Sequence, residues 1–326
     1  MRLFGPMLKI AVGALALCVC ANAAWAQSYP TRTIKLVVPA PSGGPMDLYG
    51  RLAAQIIQQD LGGTVVVENR AGAGGATATK SVASAAPDGY SLLVANTTTL
   101  GVIPATTPDV GFDPVRSFAP VAKLADSSTA LVVAPAFPAS SVHALVDHAK
   151  AQPGKLDYAS VGISSLPHLQ AEIFRLRTGI DIVHIPFKSG PEMVTAILGQ
   201  HVHMAFAETS VVLPLIKEHR LKALAVSSLQ RQAKLEGVPT MIESGIADFA
   251  FPMWTGIVAP AGTSADIVER LNRVIQTGLQ SPQIAEALAS SGAQPASGSV
   301  QSFSDFLTAE AARWSAIVRQ AGMRSK

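Results

Sequence analysis

The chain of 326 residues has two cysteines, Cys18 and Cys20, and both lie within its first twenty positions. Beyond them there is no partner for a disulfide, no thiolate ligand and no cysteine nucleophile. Charge is scarce: 14% of residues are Asp, Glu, Lys or Arg, against about 25% in an average soluble domain. No run of five Lys or Arg occurs and the formal net charge is +3, which argues against a nucleic-acid partner. No apolar run approaches the ~20 residues that a membrane-spanning helix needs. Signatures of catalysis are missing as well. There is no Gly-x-Ser-x-Gly, and the nearest stretch, Gly162-Ile163-Ser164-Ser165-Leu166, ends in leucine. Neither Ser-x-x-Lys nor His-Glu-x-x-His occurs. No catalytic residue, cofactor or metal is therefore expected. His201-x-His203 offers two imidazoles on one expected strand face, but no third ligand is evident.

What is present begins with an export signal. Arg2 and Lys9 give a positive start, residues 10–19 form an apolar stretch about ten residues long, and Ala24-Trp25-Ala26 supplies the small residues of a cleavage site. Residues 1–26 are read as a signal peptide. Cleavage leaves 300 residues with 23 basic against 22 acidic side chains. A soluble, exported, monomeric chain held together by core packing alone is expected.

Short β-branched runs alternate with amphipathic stretches. Strands are predicted over 33–38, 64–67, 90–95, 119–124, 130–133, 157–160, 182–185, 203–206 and 223–226. Helices are predicted over 45–60, 75–85, 142–151 and 167–178, and two more over 264–280 and 302–321. In the first, Leu48, Leu52 and Ile56 share a face; in the helix over 167–178, Leu169, Ile173 and Leu176 point inward. Such alternation implies an α/β fold with parallel sheets covered by helices on both faces. Ligands of such folds sit where strands run out into loops that open helices.

Two of these loops stand out. Pro39-Ala40-Pro41-Ser42-Gly43-Gly44-Pro45-Met46-Asp47 follows a buried strand and opens a helix with proline at its first turn. Ser160-Val161-Gly162-Ile163-Ser164-Ser165-Leu166-Pro167-His168 repeats the layout. Glycine admits a ligand close to the backbone, and a helix N-terminus offers unpaired N–H donors with partial positive charge, which suits a carboxylate or phosphate. Either loop alone is also a plain tight turn, and Asp47 is most simply a favourable charge in a first helical turn. Gly72-Ala73-Gly74-Gly75-Ala76-Thr77 fits neither a dinucleotide fingerprint nor a P-loop ending in Lys80-Ser81, because Thr77 and Thr79 stand where glycine is required.

An ordered set of short motifs runs through the chain: Tyr29-Pro30; Gly43-Gly44-x-x-Asp47 with Arg51; Val67-Glu68-Asn69-Arg70; Ala86-Pro87-Asp88-Gly89-Tyr90; Tyr158-Ala159-Ser160; His168-Leu169; His184-x-Pro186-Phe187-Lys188; Val238-Pro239-Thr240; and Ala259-Pro260-Ala261-Gly262-Thr263. In this set the chain resembles the Bug family, the extracytoplasmic solute receptors of tripartite tricarboxylate transporters. The resemblance implies a two-domain periplasmic binding protein, similar to type II, that closes on its ligand in a cleft between the domains. It implies one α/β domain from residues 27–125 with 251–326 and a second from 126–250. It also implies a small organic carboxylate as ligand and membrane permease subunits as partners. Ser42, Gly43, Gly44 and Asp47 stand at the family's first ligand loop, and Ser160, Gly162, Ser164, Ser165 and His168 at its second. Asn96, Thr97 and Thr98 match a third cleft loop; Glu208, Thr209 and Ser210 match a fourth. Departures are Ser164 in place of a usual glycine, and Ala207 where an aspartate is common. A receptor serving a two-component sensor would use the same cleft, and a secreted hydrolase is the reading from another class.

Overall fold

A computed structural model describes residues 29–107 and 109–322. The signal-peptide reading, with both cysteines and the cleavage site, lies outside them. Two mixed sheets with helices packed on their faces make up the described chain. It opens with β1 (Ile34–Val38), in which Ile34, Leu36 and Val38 are fully buried while Lys35 points out. Helix α1 (Pro45–Leu61) returns over the sheet to β2 (Val65–Asn69). A 3₁₀ turn and α2 (Ala76–Ala83) lead to β3 (Ser91–Asn96), which runs directly into a π-helical turn (Thr97–Val102) and the short α3 (Ile103–Thr106).

β4 (Phe118–Ser127) belongs to the first sheet, and β5 (Thr129–Val133), only Ser128 away, to the second. The second sheet is completed by α4 (Val142–Ala151), β6 (Leu156–Ser160), α5 (Leu166–Thr178), β7 (Ile182–Pro186), α6 (Gly190–Leu198), β8 (Met204–Glu208), α7 (Thr209–Lys217) and β9 (Lys222–Val226). The chain then returns through β10 (Met253–Pro260), α8 (Ala265–Leu279), α9 (Pro282–Ser290), β11 (Gln294–Pro295) and α10 (Val300–Gln320).

The first sheet has the order β11-β4-β10-β3-β1-β2 and the second β7-β6-β8-β5-β9. Neither is purely parallel, as the strand–helix alternation had suggested. β10 runs antiparallel to β3 and β4, and β5 antiparallel to β8 and β9. The cause is the route of the chain. β5 and β10 are the strands on which the chain enters one sheet from the other, through Ser128 and through residues 227–252, and each runs against both of its neighbours.

Two expected core positions turn outward. Leu176 is 49% exposed and Leu48 36%; Phe174 and Tyr49 occupy the inward faces of their helices instead. The last helix serves both halves. Phe303 and Leu307 pack with Trp254 and Val258, while Trp314 and Val318 share an apolar cluster with Phe249 and Phe206. The Trp254 and Trp314 indoles both donate to Glu310 Oε2, at 3.3 and 2.9 Å, and Arg313 holds Glu310 Oε1 and the Ala250 carbonyl.

Candidate functional site

The first loop is shaped from beneath by Asp47. Gly43 adopts φ +84, a left-handed conformation that favours glycine, and its N–H donates to Asp47 Oδ2 at 2.9 Å. Arg51 Nε donates to the same oxygen at 3.0 Å, and Asn69 Nδ2 to Oδ1 at 3.0 Å. Burial opposes the charged form of Asp47, but these bonds outweigh it and hold the carboxyl below its ordinary range. Asp47 is therefore committed to the loop. Ser42 and Gly43 are exposed and Gly44 is half-buried. At the N-terminus of α1 the N–H groups of Gly44, Met46 and Asp47 have no acceptor among the described residues.

Ser160 and Ser165 shape the second loop. Gly162, at φ +110, accepts from the Ser165 hydroxyl at 2.7 Å and exchanges contacts of 3.1 Å with Ser160 Oγ. Ser165 is also the N-cap of α5, accepting from the His168 N–H. Its hydroxyl is thus engaged within the loop. The N–H groups of Ile163 and Ser164 have no acceptor among the described residues, and Ser164 holds the left-handed φ of +63.

In the third loop, Asn96 and Thr99 form a reciprocal capping box at the π-helical turn. The Thr97 hydroxyl accepts the Trp254 N–H at 3.0 Å. Thr98 faces the other half of the molecule, where its hydroxyl accepts the Leu166 N–H. In the fourth loop, Thr209 is pinned through both N–H and hydroxyl to the Ser128 carbonyl, next to the passage between the sheets. Ser210 Oγ is buried without a well-aligned partner.

Three contacts gather these loops. Asn96 Nδ2 reaches Met46 Sδ at 3.2 Å, Leu166 N reaches Thr98 Oγ1 at 3.4 Å, and Tyr49 OH reaches Glu208 Oε1 at 3.5 Å. The last two join the first sheet's half to the second's. Burial pushes the Glu208 carboxyl up to about 7, with Ser210 and Tyr49 drawing it part of the way back. Burial likewise raises the Tyr49 hydroxyl.

Two residues at the site went unassigned from sequence. Tyr49 sits on the buried face of α1, where a core role is the default reading. His184 on β7 meets Ser160 Oγ at 2.6 Å, stacks with Tyr158 at a ring-centroid distance of 4.9 Å and lies tilted against His168 at 4.4 Å. Burial and the neighbouring His168 push His184 down to about 4, and burial also lowers His168. Alternation along β7 could have flagged His184 only if the second loop's dependence on Ser160 were known. His201 and His203 do not share a strand face. β8 starts at Met204, and His203 binds Asp157 at 2.6 Å, away from the loops. Among the described residues there is no cluster of three or more His, Cys, Asp or Glu suited to a metal.

Residues 50–323 match the family model described as tripartite tricarboxylate transporter family receptor. Protein BugT of Bordetella pertussis is 37% identical over 302 residues, spanning 92% of this chain and 93% of that protein. Among solved structures, the periplasmic binding protein BugD superposes with a TM-score of 0.86 at 31% identity, covering 91% of this chain and all of that one. R. palustris Rpa4515 with adipate gives a TM-score of 0.85 at 31% identity, covering 90% of this chain and 98% of the other.

Proposed function

The chain belongs to the tripartite tricarboxylate transporter receptor family, and from that premise we propose that it captures a small organic carboxylate in the periplasm and delivers it to membrane permease subunits. The family is one of solute receptors, and the chain is not an enzyme. What carries the reading is the set of unpaired backbone donors. Gly44, Met46 and Asp47 in the first loop and Ile163 and Ser164 in the second have N–H groups without acceptors among the described residues, and the third loop touches both, at Met46 and at Leu166. A carboxylate has four lone-pair sites, and bonds from N–H groups to a charged acceptor are among the strong ones. Both sets sit at or just before helix N-termini, where the backbone dipoles favour an anion. The adipate bound to Rpa4515 supports a carboxylate as the ligand class.

The division into residues 27–125 with 251–326 and 126–250 belongs to the same proposal. In its support, the first sheet takes its strands from both ends of the chain and the second from the middle. Cleavage after Ala26 and a monomeric state are proposed with it. Within the site, Gly44, Ser164 and the N-terminal turns of α1 and α5 face the ligand, while Asp47, Ser160 and Ser165 hold the loops in shape. Thermal unfolding of the mature protein against a library of carboxylates tests the reading. A ligand at 100 times its Kd stabilises the native state by about 2.7 kcal/mol, and a melting temperature that no carboxylate raises would refute it.

A further inference from the structure

The structure contains a carboxyl whose charge the protein does not balance. Asp47 is paired with Arg51, Glu172 with Arg175 and Glu310 with Arg313. Glu208 has no such partner among the described residues. It closes β8 immediately beside β6, with Tyr158 opposite Met204 and Ala159 opposite Ala205 in parallel register. The hydroxyl of Tyr49, in the second turn of α1, reaches Glu208 Oε1 at 3.5 Å, so the carboxyl lies beside the helix that the first loop opens. The groups that face its carboxyl are Tyr49 from α1 and Ser210 from α7, and Ser291 in the turn after α9 stands behind Tyr49. None of them is a cation. Glu208 is half-buried, and a carboxylate in that position with one long hydroxyl contact and no cation leaves lone pairs open to a further donor.

Resting on the reading of the cleft as a carboxylate site, we propose that Glu208 selects the ligand's far end, accepting a hydroxyl or ammonium donor and rejecting a second carboxylate. One end of the ligand then meets the N–H groups of the two loops. Its other end meets Glu208, with the Ser210 hydroxyl beside it. A dianion would bring a like charge against Glu208 in a site of low effective dielectric, where such repulsion is weakly screened. The raised titration of Glu208, to about 7, adds a condition. Below that pH the neutral acid tolerates a dicarboxylate; above it the carboxylate repels one.

Matched ligands test this. Calorimetric titration compares 4-hydroxybutyrate and 4-aminobutyrate with succinate, 6-hydroxyhexanoate and 6-aminohexanoate with adipate, and 4-hydroxybenzoate with terephthalate. Each is run at about pH 8.5 and about pH 6, on wild type, Glu208→Gln and Gly44→Val. In whichever series binds, the donor-bearing member is expected to bind wild type at least about tenfold more tightly than the dicarboxylate at the higher pH. That gap should close in Glu208→Gln and narrow at the lower pH. The hydroxyl and amino members show which donor is preferred. A dicarboxylate that binds wild type and Glu208→Gln equally well at the higher pH overturns the proposal. In that case the carboxylate cleft itself still stands if Gly44→Val abolishes the binding. Silence of every series on both wild type and Glu208→Gln overturns both.

Discussion

The Thr98 hydroxyl accepts the Leu166 N–H at 3.4 Å, so the third loop of one sheet touches the N-terminus of the helix that follows the second loop of the other. This contact joins the two halves across the mouth of the candidate site. Replacing Thr98 with the isosteric valine removes the acceptor and leaves an N–H without its partner. A neutral hydrogen bond contributes about 0.5–1.5 kcal/mol net, so the balance between closed and open forms should shift by about two- to tenfold. Small-angle scattering of unliganded Thr98→Val should give a larger radius of gyration than wild type. An unchanged radius would mean that the contact does not hold the halves together.

Asp47 anchors the first loop through three donors on two oxygens. Asp47→Ala removes the acceptor of the Gly43 N–H and one of the two acceptors of the Asn69 amide, both only partly buried, at a cost of about 1 kcal/mol. Urea unfolding should show that loss, and carboxylate affinity should drop with it because the turn at Gly43 is no longer fixed. If stability falls while affinity is unchanged, the loop does not shape the site.

Much of this arrangement is legible in the sequence. The strand–loop–helix pattern over residues 33–60 and 157–178 stands as expected to within a residue or so, because buried apolar runs and proline at a helix start are local signals. The central antiparallel strand β10, with Trp254, Gly256 and Pro260 in eight residues, is not legible. It lacks alternation because all eight residues are buried, and its partners β3 and β4 are more than a hundred residues away in the chain. The roles of the serines were hidden for a similar reason. A hydroxyl in a glycine-containing loop is an equally good ligand donor or N-cap on paper; in the fold Ser165 Oγ accepts the His168 N–H as the cap and donates to the Gly162 carbonyl at 2.7 Å. The π-helical turn at Thr97–Val102 has no periodic signature at all.

Ser165→Ala should consequently behave as the loss of a helix cap. The expected cost is about 1 kcal/mol of stability, seen as a lower urea midpoint. Ser164→Gly retains the N–H and relieves a left-handed backbone, so binding should stay at the wild-type level. Loss of binding in Ser164→Gly would assign the contact to the hydroxyl instead.

His184 gives a pH signature. Its value of about 4 in the folded chain lies below the ordinary 6.5, so the unfolded chain takes up the proton first. Stability contributed by neutral His184 is complete above pH 6.5 and is lost as pH falls toward 4. Glu208, raised from 4.5 to about 7, acts in the opposite sense, losing stability as pH rises across that interval. The difference between wild type and His184→Gln isolates the histidine. The melting temperature of wild type should fall relative to the variant as pH drops through this window, and parallel curves would contradict the assignment.

The central claim is that backbone N–H groups of the first loop receive a carboxylate, and Gly44 tests it most directly. Gly44 has φ −91, and a Cβ placed there meets nothing closer than the Pro41 carbonyl at 4.0 Å. A valine therefore fits the folded chain while its branches cover the approach to the N–H groups. Calorimetric titration of the best carboxylate from the library into wild type and Gly44→Val, both melting normally, is the deciding measurement. Loss of bonds worth about 1.5–3 kcal/mol to a charged group predicts affinity weaker by about ten- to a hundredfold or more. Equal affinity in the two proteins would contradict the account.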